Sequence, residues 1–309
     1  MGHRDTKKSF VLIGGMPRSG TTLIETVIGS HSRIAIPPGD FPFAESAAKG
    51  LRVNDIFSIL GKRQTWELWP VKDFSPVFDM AHGEAFRAAL ILYAEGLGKD
   101  IPGAKAPFSE FFIDTYLDWL SDDELKFVYV LRNPFDVMAS LKHSHIHTNW
   151  HRFRDLIEVQ SRNWLRSASM ITARAYKQPN NFFVLRYEDF VGDPIRVGAE
   201  LCEFLGVEFE EEDMLNRAGY TYHNTNTSFP VNFAEREDKT TYIYRAESRK
   251  TSLSKDEIEL ISHVCGETAL SLGYEDEDLA VKPPEKMHSV NLLTKIRRLP
   301  RRIYRRITR

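Results

Sequence analysis

The sequence predicts a three-layer α/β/α domain around a central parallel sheet, and three observations predict it. Apolar runs of strand length alternate with stretches of helical periodicity, a glycine-rich turn joins the first strand to the first helix, and a later buried strand ends on an arginine. With 309 residues, 42% hydrophobic and 12% aromatic, the chain is long and apolar enough for one large domain with a full core. A net charge of −2 excludes a globally polybasic chain, and no nucleic-acid partner is expected.

The elements follow in order. Residues 10–13 read as the first strand and 22–30 as the helix after the glycine turn. Residues 85–97 carry Phe86, Leu90, Tyr93 and Leu97 at helical spacing, and 112–120 form another helix, ended by a polar cluster. The run Lys126-Phe127-Val128-Tyr129-Val130-Leu131 is almost wholly β-branched or aromatic, as a buried strand is. Pro134 suits the first turn of a helix reaching Lys142. A long amphipathic helix over 156–176, a strand over 182–185 and a helix over 194–205 closed by Gly206 come next. Ser254 and Glu257 have capping-box spacing and open a last helix to about residue 272. Two stretches read as loops, 37–42 and 220–252, the second long enough to be functional or mobile.

The expected division is a domain over residues 1–280 and a basic tail over 281–309. From Lys286 onward there are nine Lys or Arg and no acidic residue. Leu292, Ile296, Leu299, Ile303 and Ile307 recur at three- and four-residue steps between the arginines. Such a segment suits an anionic membrane surface or an acidic partner. No apolar stretch reaches the ~20 residues of a spanning helix, and the apolar run before the glycine turn reads as a core strand, not a signal peptide. Cys202 and Cys265 lack C-x-x-C spacing and read as buried free thiols in a reducing compartment, so a cytoplasmic location is expected, with peripheral membrane contact an option.

The turn carries the chemistry. Gly15-Met16-Pro17-Arg18-Ser19-Gly20-Thr21-Thr22 has P-loop glycine spacing, whose backbone N–H groups and helix start converge on anionic oxygens. That gives the predicted fold the look of P-loop NTPases. A triphosphatase needs lysine after the second glycine and an acid that holds magnesium. Here Thr21 stands in the lysine position, the cation is Arg18, and Arg132 follows the strand ending at Leu131. An arginine there faces the ligand crevice of an open α/β sheet. The anion is thus expected to meet arginines and helix ends, with no metal.

"GGMPRSGTTL" together with "VYVLRNPFDVMASL" resembles the sulfotransferase superfamily, which uses 3′-phosphoadenosine 5′-phosphosulfate (PAPS) as co-substrate. The resemblance implies a 5′-phosphosulfate loop at Arg18, Ser19, Gly20, Thr21 and Thr22. It implies a 3′-phosphate site at Arg132 and Ser140, with Tyr187 of "FFVLRYEDFVGDP" close to the nucleotide. A late basic residue in that family commonly reaches the 3′-phosphate, which points to Lys250. The physics agrees, because the donor is anionic at both ends of its ribose and arginine's planar fork binds phosphate oxygens bidentately.

Transfer to a hydroxyl acceptor by in-line displacement needs charge stabilised on the leaving oxygen and a proton removed from the acceptor. Arg18 is the first candidate for the leaving oxygen. Lys105 in Gly103-Ala104-Lys105-Ala106-Pro107 is the second, although the family often has threonine where Ala106 stands. Asp40 is the candidate base, in a proline-pair segment where members of the family carry a carboxylate in a slightly different register. Glu45 and the cluster His143, His145, His147 and His151 are alternatives, and Asp40 could equally shape a turn. Carbohydrate, lipid, small metabolite and tyrosine acceptors all fit. The rival readings are a P-loop small-molecule kinase and a non-catalytic module that binds adenosine bisphosphate.

Overall fold

The structure is a computed structural model that describes residues 8–121, 124–142, 153–216 and 252–274. Strands β1 (Ser9–Gly15), β2 (Ile34–Ala35), β3 (Ile101–Lys105), β4 (Glu124–Leu131) and β5 (Phe182–Arg186) form one sheet in the order β2-β3-β1-β4-β5. Every pairing is parallel, with Val11 opposite Gly103 and Lys126, and Tyr129 opposite Val184. From β1 the chain goes to the edge strand β2, comes inward to β3 beside β1, and then crosses to β4 and β5 on the other side of β1. β1 is therefore the switch point, and a crevice opens at the carboxyl ends of the strands beside it.

Strand alternation sorts the core into two layers, as a covered parallel sheet requires. Phe10, Leu12, Phe127, Tyr129 and Leu131 face one side, packed with Phe86, Tyr116, Trp164, Ile171 and Cys265. Val11, Ile13, Val128 and Val130 face the other, with Ile24, Val27, Ile28, Leu201 and Cys202. The first layer is built by helices α4 (His82–Gly96), α5 (Ile113–Trp119), α6 (Pro134–Lys142), α7 (Phe153–Lys177) and α10 (Lys255–Ser271). The second is built by α1 (Thr21–Ser30) and α9 (Pro194–Leu205). The two cysteines are free and sit in different layers, and burial pushes each thiol up to about 12. Among the described residues, no helix is long and apolar enough to cross a membrane.

The capping box at α10 forms as its spacing predicts. Ser254 Oγ accepts the Glu257 N–H at 3.3 Å, and Glu257 Oε2 accepts the Ser254 N–H at 2.7 Å. The same oxygen takes Lys142 Nζ at 2.7 Å, which ties the end of α6 to the start of α10.

The structure also contains elements that the sequence pattern did not announce. α2 (Phe43–Ala48), α3 (Val53–Leu60) and α8 (Tyr187–Gly192) are short, and β2 has only two residues. β3 is hidden by its composition, Ile-Pro-Gly-Ala-Lys, because proline and glycine argue against an inner strand. Gly103 is needed there: a Cβ would lie 2.6 Å from the Val11 carbonyl oxygen of the neighbouring strand. The four histidines at 143–151, Lys250, nearly all of the 220–252 loop and the basic tail lie outside the described residues.

Candidate functional site

Each candidate group follows the carboxyl end of a strand. The glycine turn leaves β1, Lys105 ends β3, Arg132 follows β4 and Tyr187 follows β5. Parallel pairing brings these four strand ends to one edge of the sheet, which is why residues far apart in sequence meet.

The turn is shaped by three residues at positive φ: Gly15 at 142°, Arg18 at 73° and Gly20 at 102°. A Cβ on Gly15 would sit 2.6 Å from the Val130 carbonyl oxygen, and one on Gly20 would strike the Tyr187 ring at 2.4 Å. Arg18 has no such freedom, and its left-handed backbone costs on the order of 1–3 kcal/mol. Its Nε donates to Ser140 Oγ at 3.1 Å, which joins the turn to α6. Ser19 Oγ is buried without a hydrogen-bond partner among the described residues. The turn rests on Glu110, whose Oε2 accepts the Gly15 N–H at 3.0 Å and whose Oε1 accepts Ser167 Oγ at 2.5 Å. Burial pushes the Glu110 carboxyl above the usual range, and these hydrogen bonds oppose the push.

Arg132 is 7% exposed and braced on three sides. Its Nη1 donates to the Arg18 carbonyl oxygen at 3.1 Å, its guanidinium lies 4.4 Å from the Tyr187 ring centre, and Trp164 Nε1 donates to its own carbonyl oxygen at 2.9 Å. Among the described residues its Nε is buried without a hydrogen-bond partner and no carboxylate forms an ion pair with it. The nearby Glu188 is engaged elsewhere, accepting the Asn133 N–H at 2.8 Å and the Tyr274 hydroxyl at 3.0 Å. Burial pushes Glu188 up, opposed by those bonds and by the charge of Arg132.

Lys105 is held in the opposite way. It is 1% exposed, not a solvated loop lysine, and its Nζ lies 3.0 Å from Glu25 Oε2 and in contact with Asp40 Oδ1. Thr22 Oγ1, on the first turn of α1, is 3.5 Å from the same nitrogen. Burial alone would lower the lysine's pKa; the charges and hydrogen bonds of Glu25 and Asp40 outweigh it and hold the ammonium above the usual range. Asp40 keeps 42% of its side chain exposed, so one face of the pair meets solvent. The 37–42 loop is fastened by Arg63 Nη1 to the Asp40 carbonyl oxygen at 2.6 Å and by Trp69 Nε1 to the Pro38 carbonyl oxygen at 2.9 Å.

The structure thus brings Arg18, Ser19, Gly20, Thr21, Thr22, Arg132, Ser140 and Tyr187 together at one edge of the sheet, with Lys105 and Asp40 adjoining them as an ion pair. Glu45 stands apart, pairing with Lys49 one turn on along α2. His31 caps the end of α1, with its Nε2 2.9 Å from the Glu208 carbonyl oxygen. Glu25 and Glu110 are the two site residues that the sequence reading missed. Each is a lone carboxylate in its segment, and only the folded contacts mark it.

The family model described as "Sulfotransferase family" matches residues 11–211, and the chain belongs to the sulfotransferase family. In fold the chain is similar to the sulfotransferase domain from the Synechococcus PCC 7002 olefin synthase, with a TM-score of 0.54 and 18% identity over 89% of this chain and 98% of that one. The sulfotransferase domain from the curacin biosynthetic pathway has a TM-score of 0.49 at 18% identity, over 87% and 98% of the two chains. An uncharacterized protein from Aquifex aeolicus (strain VF5) is 55% identical over 42 residues, which are 14% of this chain and only 5% of that relative.

Proposed function

We propose that the protein is a sulfotransferase that moves a sulfuryl group from PAPS to a hydroxyl acceptor. The observation that carries this reading is Arg132: a buried, braced arginine whose Nε has no partner among the described residues, standing beside a turn whose buried Ser19 Oγ likewise has none there. Buried polar atoms are rarely left without a partner, which water, an ion or a ligand can supply. Two separate unsatisfied donors, one beside a helix start and one on a fixed cation, suit a ligand that is anionic at two places.

Arg18, Ser19, Gly20, Thr21 and Thr22 would hold the 5′-phosphosulfate, and Arg132 and Ser140 the 3′-phosphate, with Tyr187 flanking the nucleotide. Bound there, the donor supplies an activated sulfuryl group and departs as adenosine 3′,5′-bisphosphate. Arg18 is assigned to the leaving oxygen, with Lys105, already paired to Glu25 and Asp40, as the second candidate, and losing one such contact typically costs ~10²–10³ in rate. Asp40, half open to solvent, takes the proton of the acceptor hydroxyl. The kinase alternative needs a lysine where Thr21 stands and a metal-holding acid where Arg132 stands.

Thermal unfolding with candidate ligands tests the reading. Adenosine 3′,5′-bisphosphate at 100 times its dissociation constant should stabilise the protein by about 2.7 kcal/mol. Stabilisation by ATP with magnesium, and none by the bisphosphate, would overturn it. An acceptor panel with radiolabelled donor then separates sugar, lipid, metabolite and tyrosine hydroxyls. Tight bisphosphate binding with no acceptor sulfated across that panel would favour the non-catalytic module.

A further inference from the structure

Glu25 is no member of the proposed donor-binding group, yet it touches Lys105 and the residue before Asp40. It lies on α1, 3% exposed, with Oε2 3.0 Å from Lys105 Nζ and Oε1 accepting the Gly39 N–H at 2.5 Å. Gly39 is the residue before Asp40. It adopts φ of 95°, and a Cβ there would lie 2.6 Å from Thr65 Oγ1, so its amide has little room to move. One buried carboxylate therefore grips the lysine directly and the aspartate through its neighbour's backbone.

The charge count explains why a second carboxylate is useful. Lys105 faces two carboxylates, so the cluster carries one excess negative charge when all three groups are ionised. If Asp40 were the only partner, accepting a proton would strand a buried ammonium, which low-dielectric surroundings penalise heavily. With Glu25 in place, protonating Asp40 leaves a neutral Lys105–Glu25 pair. The other groups around the cluster do not replace it. Thr22 Oγ1 is uncharged, and Tyr93 on α4 stays neutral because burial and then the charge of Glu25 push its hydroxyl up.

We infer that Glu25 is the standing counter-ion of Lys105 and a positioning residue for the transfer. It keeps the lysine compensated while Asp40 exchanges its partner for the acceptor proton, and it fixes the approach of the 37–42 loop. This inference rests on the sulfotransferase reading for its kinetic consequence, but not for its electrostatic one.

The test compares the full chain with Glu25→Gln and Glu25→Asp, using kinetics and the ¹⁵Nζ resonance of Lys105. Removing the charge leaves the ammonium to Asp40 alone, so Asp40 is held on Lys105 and is less free to take the acceptor proton. Glu25→Gln should lower kcat on the order of tenfold and move the acid limb of kcat to lower pH, with donor KM and bisphosphate affinity within about twofold, since Glu25 touches neither. Glu25→Asp keeps the charge and should hold the limb at its original pH. In Glu25→Gln the Lys105 resonance should titrate at lower pH than in the parent protein. A lower melting temperature with unchanged kcat, limb and Lys105 titration would reduce Glu25 to a core residue. If the parent protein neither binds the bisphosphate nor turns over, the sulfotransferase reading fails separately. The Lys105 resonance then decides the counter-ion role alone, in Glu25→Asp against the parent if Glu25→Gln does not fold.

Discussion

Two cations are buried in this site, and the protein treats them differently. Arg132 is braced by a carbonyl oxygen and an aromatic ring but paired with no carboxylate among the described residues. Lys105, at the end of the adjacent half of the sheet, is held between two carboxylates. A buried charge is tolerated only when something opposite comes to meet it. For Lys105 that partner is built into the chain, so the folded protein is complete there without a ligand. For Arg132 the described residues supply geometry and the charge of nearby Glu188 but no direct ion pair, and the proposed ligand would bring the counter-charge. On the proposed function, the first cation serves folding and chemistry together, whereas the second serves binding.

If this contrast is right, removing each cation should damage a different property. Lys105→Met carries the largest expected effect, because it leaves the buried Glu25 carboxylate without its ammonium. Breaking a buried pair from one side costs about 3–5 kcal/mol, read as unfolding free energy in urea at pH 8. The loss should shrink as the pH falls, since a stranded Glu25 can then be protonated in the folded state. A loss below about 1 kcal/mol at pH 8, the range of an exposed pair, would erase the distinction between the two cations.

Arg132→Ala should show the reverse balance. Its hydrogen bond to Arg18 and its stacking on Tyr187 are worth about 1 kcal/mol each, so the fold should survive with a modest loss. Affinity for adenosine 3′,5′-bisphosphate should fall by about 10- to 150-fold, the worth of a charge-assisted hydrogen bond at about 1.5–3 kcal/mol. Calorimetric titration reads this directly. Unchanged affinity would remove Arg132 from the binding site.

The sequence made the binding half easier to read than the compensated half. A glycine turn between a strand and a helix, and an arginine straight after a pure apolar run, are local patterns, and both occupy the positions expected of them. Lys105 stood out as a residue but not as part of a strand, because Pro102 and Gly103 disguise β3 as a loop. Glu25 sits in an ordinary helical pattern, and its meaning depends on β3 and the 37–42 loop arriving beside it. Glu110 meets the turn from 95 residues away. Pairings across the sheet are set by topology, and topology follows from how all the strands pack together, which no short pattern encodes.

Glu110 gives the smallest effect and the sharpest check on the rule. It is a third buried ionisable group, a carboxyl with hydrogen bonds but no cation among the described residues. Burial raises its folded pKa above the ordinary 4.5. Between those two values the folded protein binds the proton more tightly than the unfolded chain does. Its contribution to stability is therefore full below about pH 4.5 and is lost as pH rises through the higher folded value. Glu110→Gln cannot titrate, and it retains an oxygen for the Gly15 N–H, while Ser167 must turn to accept from the new amide. The expected result is a change of about 1 kcal/mol or less in stability near pH 5 and a flatter decline toward pH 7 than in the parent protein. Chemical denaturation at half-unit pH steps resolves it. A variant that follows the parent's slope throughout would mean that Glu110 is already ionised when folded, so that backbone and hydroxyl donors suffice for a buried anion where Lys105 needs two carboxylates.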